Sequence, residues 1–133
     1  MIVAFPVLLG ACATSPISDS EATPAASTSS ELAKYATAKP GTATVIVKRD
    51  AGLMGAACAS RLFVDGSVVA DLWPGEAVTL HLPVTSTILS VKPEGVCGGG
   101  TYETTVTPNP SKESKFRVGY GTNGDFFIVP TAF

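Results

Sequence analysis

Charge is what this chain has least of. Asp, Glu, Lys and Arg make up 15% of its 133 residues, against about 25% in an ordinary soluble domain. The net charge is −2, so no basic surplus is available to neutralise a run of phosphates, which argues against nucleic acid as a partner. A single histidine, His81, confines any imidazole chemistry to one position. No apolar run reaches the ~20 residues that a membrane-spanning helix requires. Long helical periodicities are scarce as well. What remains is a chain that is 45% hydrophobic, with 13 glycines, 10 prolines and many valines and threonines. That mixture favours short strands joined by turns, hence an all-β fold.

From Gly41 to Phe133 the pattern is regular. Alternating or β-rich segments occur at 43–49, 60–64, 67–72, 77–82, 87–92, 101–106, 115–120 and 125–129. Asp65-Gly66 is a favoured two-residue hairpin turn between the second and third. In the fourth, Val78, Leu80 and Leu82 share one face. With no substantial helix between them, these segments predict an antiparallel β-sandwich of about 7–8 strands.

The amino end differs. Residues 1–11 are apolar and uncharged, and they lead into Cys12. Leu9-Gly10-Ala11-Cys12 resembles the bacterial lipobox, in which small residues admit a peptidase and the cysteine thiol carries a diacylglycerol. The resemblance implies a signal peptide over 1–11, an acylated Cys12 and firm bilayer anchoring, at ~0.8 kcal/mol per buried CH₂. Ala13, in place of the aspartate of an inner-membrane retention signal, implies the outer membrane with the domain facing the periplasm. Residues 12–40 are rich in Ala, Ser, Thr and Pro and read as a disordered tether, spanning roughly 30 Å on average. Within it, Thr28 to Glu31 has the form of a capping box, and Leu32, Tyr35 and Ala36 share a helical face. A short helix near 29–38 is expected.

If Cys12 is acylated, Cys58 and Cys97 are left as a pair. Outside the reducing cytosol they can join as a disulfide, closing a loop worth about 4 kcal/mol. The alternative, a metal site, lacks further Cys or His at ligand spacing, and no cofactor is expected.

Other patterns are weaker. Gly119 to Gly124 spells G-x-G-x-x-G, but a strand rather than a helix follows, so it reads as a hairpin turn. Cys97-Gly98-Gly99-Gly100 lacks the Lys-Ser/Thr of a phosphate loop and reads as a tight turn. His81 has no nucleophile-elbow partner, so an enzyme is not expected. Trp73, Tyr102, Tyr120 and Phe127 are the aromatic candidates for a binding surface, since one of Phe126 and Phe127 must point away from the core.

Leu62 to Gly66, Val69 to Leu72 and Pro74-Gly75-Glu76 together resemble the small β-domains of bacterial envelope lipoproteins, the PEGA type among them. These place a D-G hairpin between two strands, then a P-G-E turn and an alternating strand. Their second P-x-G turn is replaced here by Pro83 to Ser86. The resemblance implies a binding or scaffolding role at the envelope, with a protein partner and no catalytic residues. A small inhibitor, immunity or exclusion factor acting on an incoming protein or phage is the alternative, and a hydrolase built on His81 the third.

Overall fold

A computed structural model describes residues 13–133. The expected signal segment and Cys12 lie outside the described residues. The fold is all-β, with two five-stranded sheets packed face to face. In chain order the strands are β1 (Thr23–Pro24), β2 (Ser27–Thr28), β3 (Thr42–Arg49), β4 (Ser60–Val64), β5 (Ser67–Leu72), β6 (Glu76–Pro83), β7 (Thr87–Pro93), β8 (Tyr102–Val106), β9 (Ser114–Tyr120) and β10 (Phe126–Pro130). The first sheet runs β1-β6-β3-β9-β10 and the second β2-β5-β4-β7-β8.

Alternation decides which side chains enter the core. Val45 and Val47 of β3, Val78, Leu80 and Leu82 of β6, and Phe116 and Val118 of β9 point inward from the first sheet. Leu62 and Val64, Leu72, Leu89 and Val91 meet them from the second. A register shift between Leu62 and Phe63 lets β5 turn both Val69 and Ala70 into the core. The β4–β5 turn is the expected one: Asp65 and Gly66 have φ of 46° and 83°, the left-handed pair that a two-residue hairpin demands.

The sheets are mixed rather than purely antiparallel. β3 and β9 run parallel, as do β1 and β6. Between β3 and β9 the chain adds β4 and β5 to the second sheet, returns to the first as β6, adds β7 and β8 to the second, and comes back to lie beside β3.

The larger departure concerns the stretch expected as a tether. From Ala13 onward it is laid against the sandwich. Its two short strands pair with β6 and β5, the outer strands of their sheets on the same side of the molecule. Ala25, Leu32 and Tyr35 pack against the core between them. Tyr35 O accepts from His81 N at 2.8 Å, so two edges that would otherwise expose unpaired backbone are covered. The short helix is a five-residue 3₁₀ turn, Ser30–Lys34. Ser29, rather than Thr28, caps it by accepting from Glu31 N, and Ala36 is exposed. Composition concealed this docking because the stretch is held by backbone pairing and polar side chains rather than by an apolar stripe.

Cys58 and Cys97 are bonded, with Cα atoms 6.2 Å apart and 39 residues between them in sequence. Replacing both with alanine should lower unfolding stability by 2–4 kcal/mol, roughly what loop closure of that length supplies. Urea titration of the oxidised and double-alanine proteins measures the difference.

Candidate functional site

Four loops gather at one end of the sandwich: 50–59, 73–75, 94–101 and 121–125. Beneath them lies Arg49, the last residue of β3, buried at 1% exposure. Its position on the strand turns it inward, between the sheets. Nη1 donates to Cys58 O at 2.6 Å and Leu72 O at 2.9 Å, and Nη2 donates to Gly55 O at 2.8 Å. Three carbonyls thus solvate one guanidinium. Burial pushes its pKa down, while nearby Tyr120, Asp50 and Glu76 favour the charge. The planar fork suits this role because several fixed donors reach different chain segments at once.

Tyr120 was expected at the surface, and the structure corrects this. It is 7% exposed. Its ring faces Phe126 at 5.1 Å and lies 5.9 Å from the Arg49 guanidinium. Gly55, at φ 67°, crosses directly over the ring, where any Cβ would collide with it. Burial pushes the phenol pKa up. β9 therefore delivers Tyr120 to the interior, where it supports the loop end from beneath.

The other aromatic candidates do not form one patch. Trp73 and Tyr102 are 42% and 44% exposed. They belong to opposite sides of the second sheet: Tyr102 pairs with Val91, Val91 with Leu62, and Leu62 with Ala70, three residues before Trp73. Three strand spacings amount to about 14 Å. Phe127 points outward from the first sheet, as one of the adjacent phenylalanines must, and its ring lies 5.1 Å from the Arg117 guanidinium. Sequence reasoning missed two more exposed apolar residues at this end, Leu53 at 93% and Val96 at 96%. A Gly-Leu-Met-Gly run and a Gly-Val-Cys run in turns were the available signals.

The loop-end part of the outward face of the first sheet is covered by residues 13–22. Thr14 Oγ1 donates to Asp50 Oδ2 at 2.7 Å and accepts from Tyr120 N at 2.8 Å. Arg117 pairs with both oxygens of the buried Asp50. Gly119 makes this approach possible, since a Cβ there would collide with Asp50 and Thr14. Further along, Asp19 receives Lys48 and Lys115, each at 2.7 Å, and Lys48 also donates to Phe133 O. Between this strap and the sheet runs a groove of about 500 Å³, lined by Asp19, Leu32, Ile46, Lys48, Val78 and Glu113 among others. His81 sits farther along the same face, half-buried, with Nδ1 3.4 Å from Thr44 Oγ1. Among the described residues no cluster of three or more His, Cys, Asp or Glu could hold a metal ion.

The outward face of the second sheet is open by comparison. Phe63 and Val68 face each other across β4 and β5, and Ile88 of β7 is 44% exposed nearby. Arg61, bonded to Asp71 at 2.8 Å, borders this apolar strip with Lys92 and Glu103.

Two outcomes follow from these pairings. Arg49→Ala should cost about 3–5 kcal/mol, because it strands three buried carbonyls and opens a cavity; denaturant unfolding reads this. Asp19 is held below the ordinary aspartate value of 3.8, first by its bond to Lys115 and then by that to Lys48. Its folded pKa is depressed, so its contribution is complete above pH 3.8 and is lost as pH falls further. Hydrogen-exchange protection at residues 15–22, taken relative to the intrinsic exchange rate at each pH, should therefore fall below that pH, and in Asp19→Asn it should be low throughout. No protein-family model matches the chain, and neither does any curated protein or solved structure.

Proposed function

We propose that this chain is a lipid-anchored protein of the bacterial envelope that presents its second sheet to a protein partner and catalyses no reaction. The observation that carries the reading is an asymmetry. The amino-terminal strap occupies the loop-end part of the outward face of the first sheet and both outer strands on one side. The outward face of the second sheet displays Phe63, Val68 and Ile88 with charged residues around them. An apolar centre with a polar rim is the usual make-up of a protein-binding surface.

Two features support the envelope location. The lipobox at Leu9 to Cys12 accounts for one thiol, and the bond between Cys58 and Cys97 accounts for the other two. Such a bond persists in an oxidising compartment. Among the described residues no helix is long and apolar enough to cross a membrane, so attachment through lipid is the route this reading requires. The outer membrane, with the domain in the periplasm, follows from Ala13 by the same resemblance.

A photo-crosslinking residue placed at Phe63 or Ile88 in cells should capture one discrete envelope protein. Phe63→Glu and Ile88→Glu should abolish that product, with stability changed by about 1 kcal/mol or less, the loss of a cross-strand apolar pair on an outward face. Capture from Thr44 and His81 instead, with none from the second sheet, would assign the partner to the other face.

A further inference from the structure

The strap fixes more than the sheet edges; it fixes where the amino end leaves the molecule. Thr14 is pinned beside Tyr120 and Asp50, and Ser15 bridges to Ala51. By Asp19 the chain has reached Lys115, five residues back along β9. It therefore runs from the loop end toward the opposite end, and the first described residues, Ala13 and Thr14, lie at the loop end. Cys12 is two residues from this pinned point, a reach of at most ~7 Å of extended chain. A long tether does not separate a lipid on Cys12 from the domain.

The same end carries the two most exposed large apolar side chains in the described structure, Leu53 and Val96, together with Trp73. Both loops are braced in place. Arg49 holds Gly55 and Cys58 on the far side of Leu53, and Ala56 N donates to Leu53 O at 3.0 Å. Val96 adjoins Cys97, whose disulfide ties its loop to Cys58. Apolar tips held away from the core in this way gain nothing from water. The loops 50–59, 73–75, 94–101 and 121–125 contain no Lys or Arg, and their acidic residues are Glu94, Asp125 and Asp50, the last buried and paired with Arg117. A surface of this kind suits the uncharged interface of a bilayer rather than a strongly anionic one.

We propose that the loop end lies directly on the membrane, with Leu53 and Val96 immersed in the lipid interface and Trp73 beside them. This rests on the lipid-anchor reading and adds an orientation to it. The strands then stand up from the bilayer, and the outward face of the second sheet projects sideways into the periplasm, accessible to a partner.

The single tryptophan makes a direct test possible. The full chain, purified from bacterial envelopes, is first weighed intact and then reconstituted into phosphatidylcholine vesicles whose acyl chains are brominated near the headgroup. Expected are a mass carrying acyl chains, a shift of Trp73 emission to shorter wavelength, and quenching by the bromolipid. Leu53→Asp combined with Val96→Asp should remove most of the quenching while leaving the acyl mass and thermal unfolding unchanged. An acylated protein whose Trp73 emission is neither shifted nor quenched would overturn the orientation and leave the anchor standing. An unmodified mass would overturn the anchor itself, and the orientation with it.

Discussion

One guanidinium ties the two sheets together. Arg49 leaves β3 in the first sheet and bonds to Leu72 O, at the end of β5 in the second, and to Cys58 O, just before β4. A buried cation is costly unless its donors are satisfied, so its three carbonyls are constrained to stay where they are. That constraint sets the path of residues 50–59, and Ala51 on that path is what Ser15 pairs with. The position of the strap depends on it.

The strap performs two tasks with the same residues. It covers the free edges of β5 and β6, which protects a sandwich from pairing with its neighbours. It also draws the amino end tight against the body of the protein. A flexible tether would let the domain sample a shell some tens of ångströms wide. On the proposed lipid anchor, a docked strap would hold it in one attitude, which suits the surface proposed to meet a partner. The cost is burial of Lys48 and Asp50, each of which has hydrogen-bond partners. Lys48 keeps its charge paired with Asp19, and Asp50 its charge paired with Arg117.

Much of the sandwich was legible in sequence because each strand is short, alternates and ends in turn chemistry. Val78, Leu80 and Leu82 declare one inward face, and Asp65-Gly66 declares a hairpin. The disulfide followed from cysteine arithmetic once Cys12 was set aside on its resemblance to a lipobox cysteine. The aromatic candidates were less legible. Tyr120 and Trp73 look equivalent as single residues near turns, yet one is beneath Gly55 and the other is in solvent. Whether a side chain at a strand end is covered depends on which loop crosses it, and loops are placed by contacts remote in sequence. Lys48 and Arg49 are a similar case: adjacent cations are ordinarily exposed, and here one is buried under the strap and the other between the sheets.

Local chemistry, then, was sufficient for the positions of β3 to β10, the β4–β5 turn and most inward-facing residues, because period-two alternation and positive-φ turns act over two to four neighbours. The joining of β3 to β9 in parallel, the capture of residues 13–40, and the gathering of Leu53, Trp73 and Val96 at one end were decided by tertiary structure alone. Each depends on partners 20 to more than 100 residues apart, as Thr14 and Tyr120 are at a separation of 106. A pattern confined to neighbouring residues carries no record of such a meeting; the packing of two sheets around one buried guanidinium supplies it.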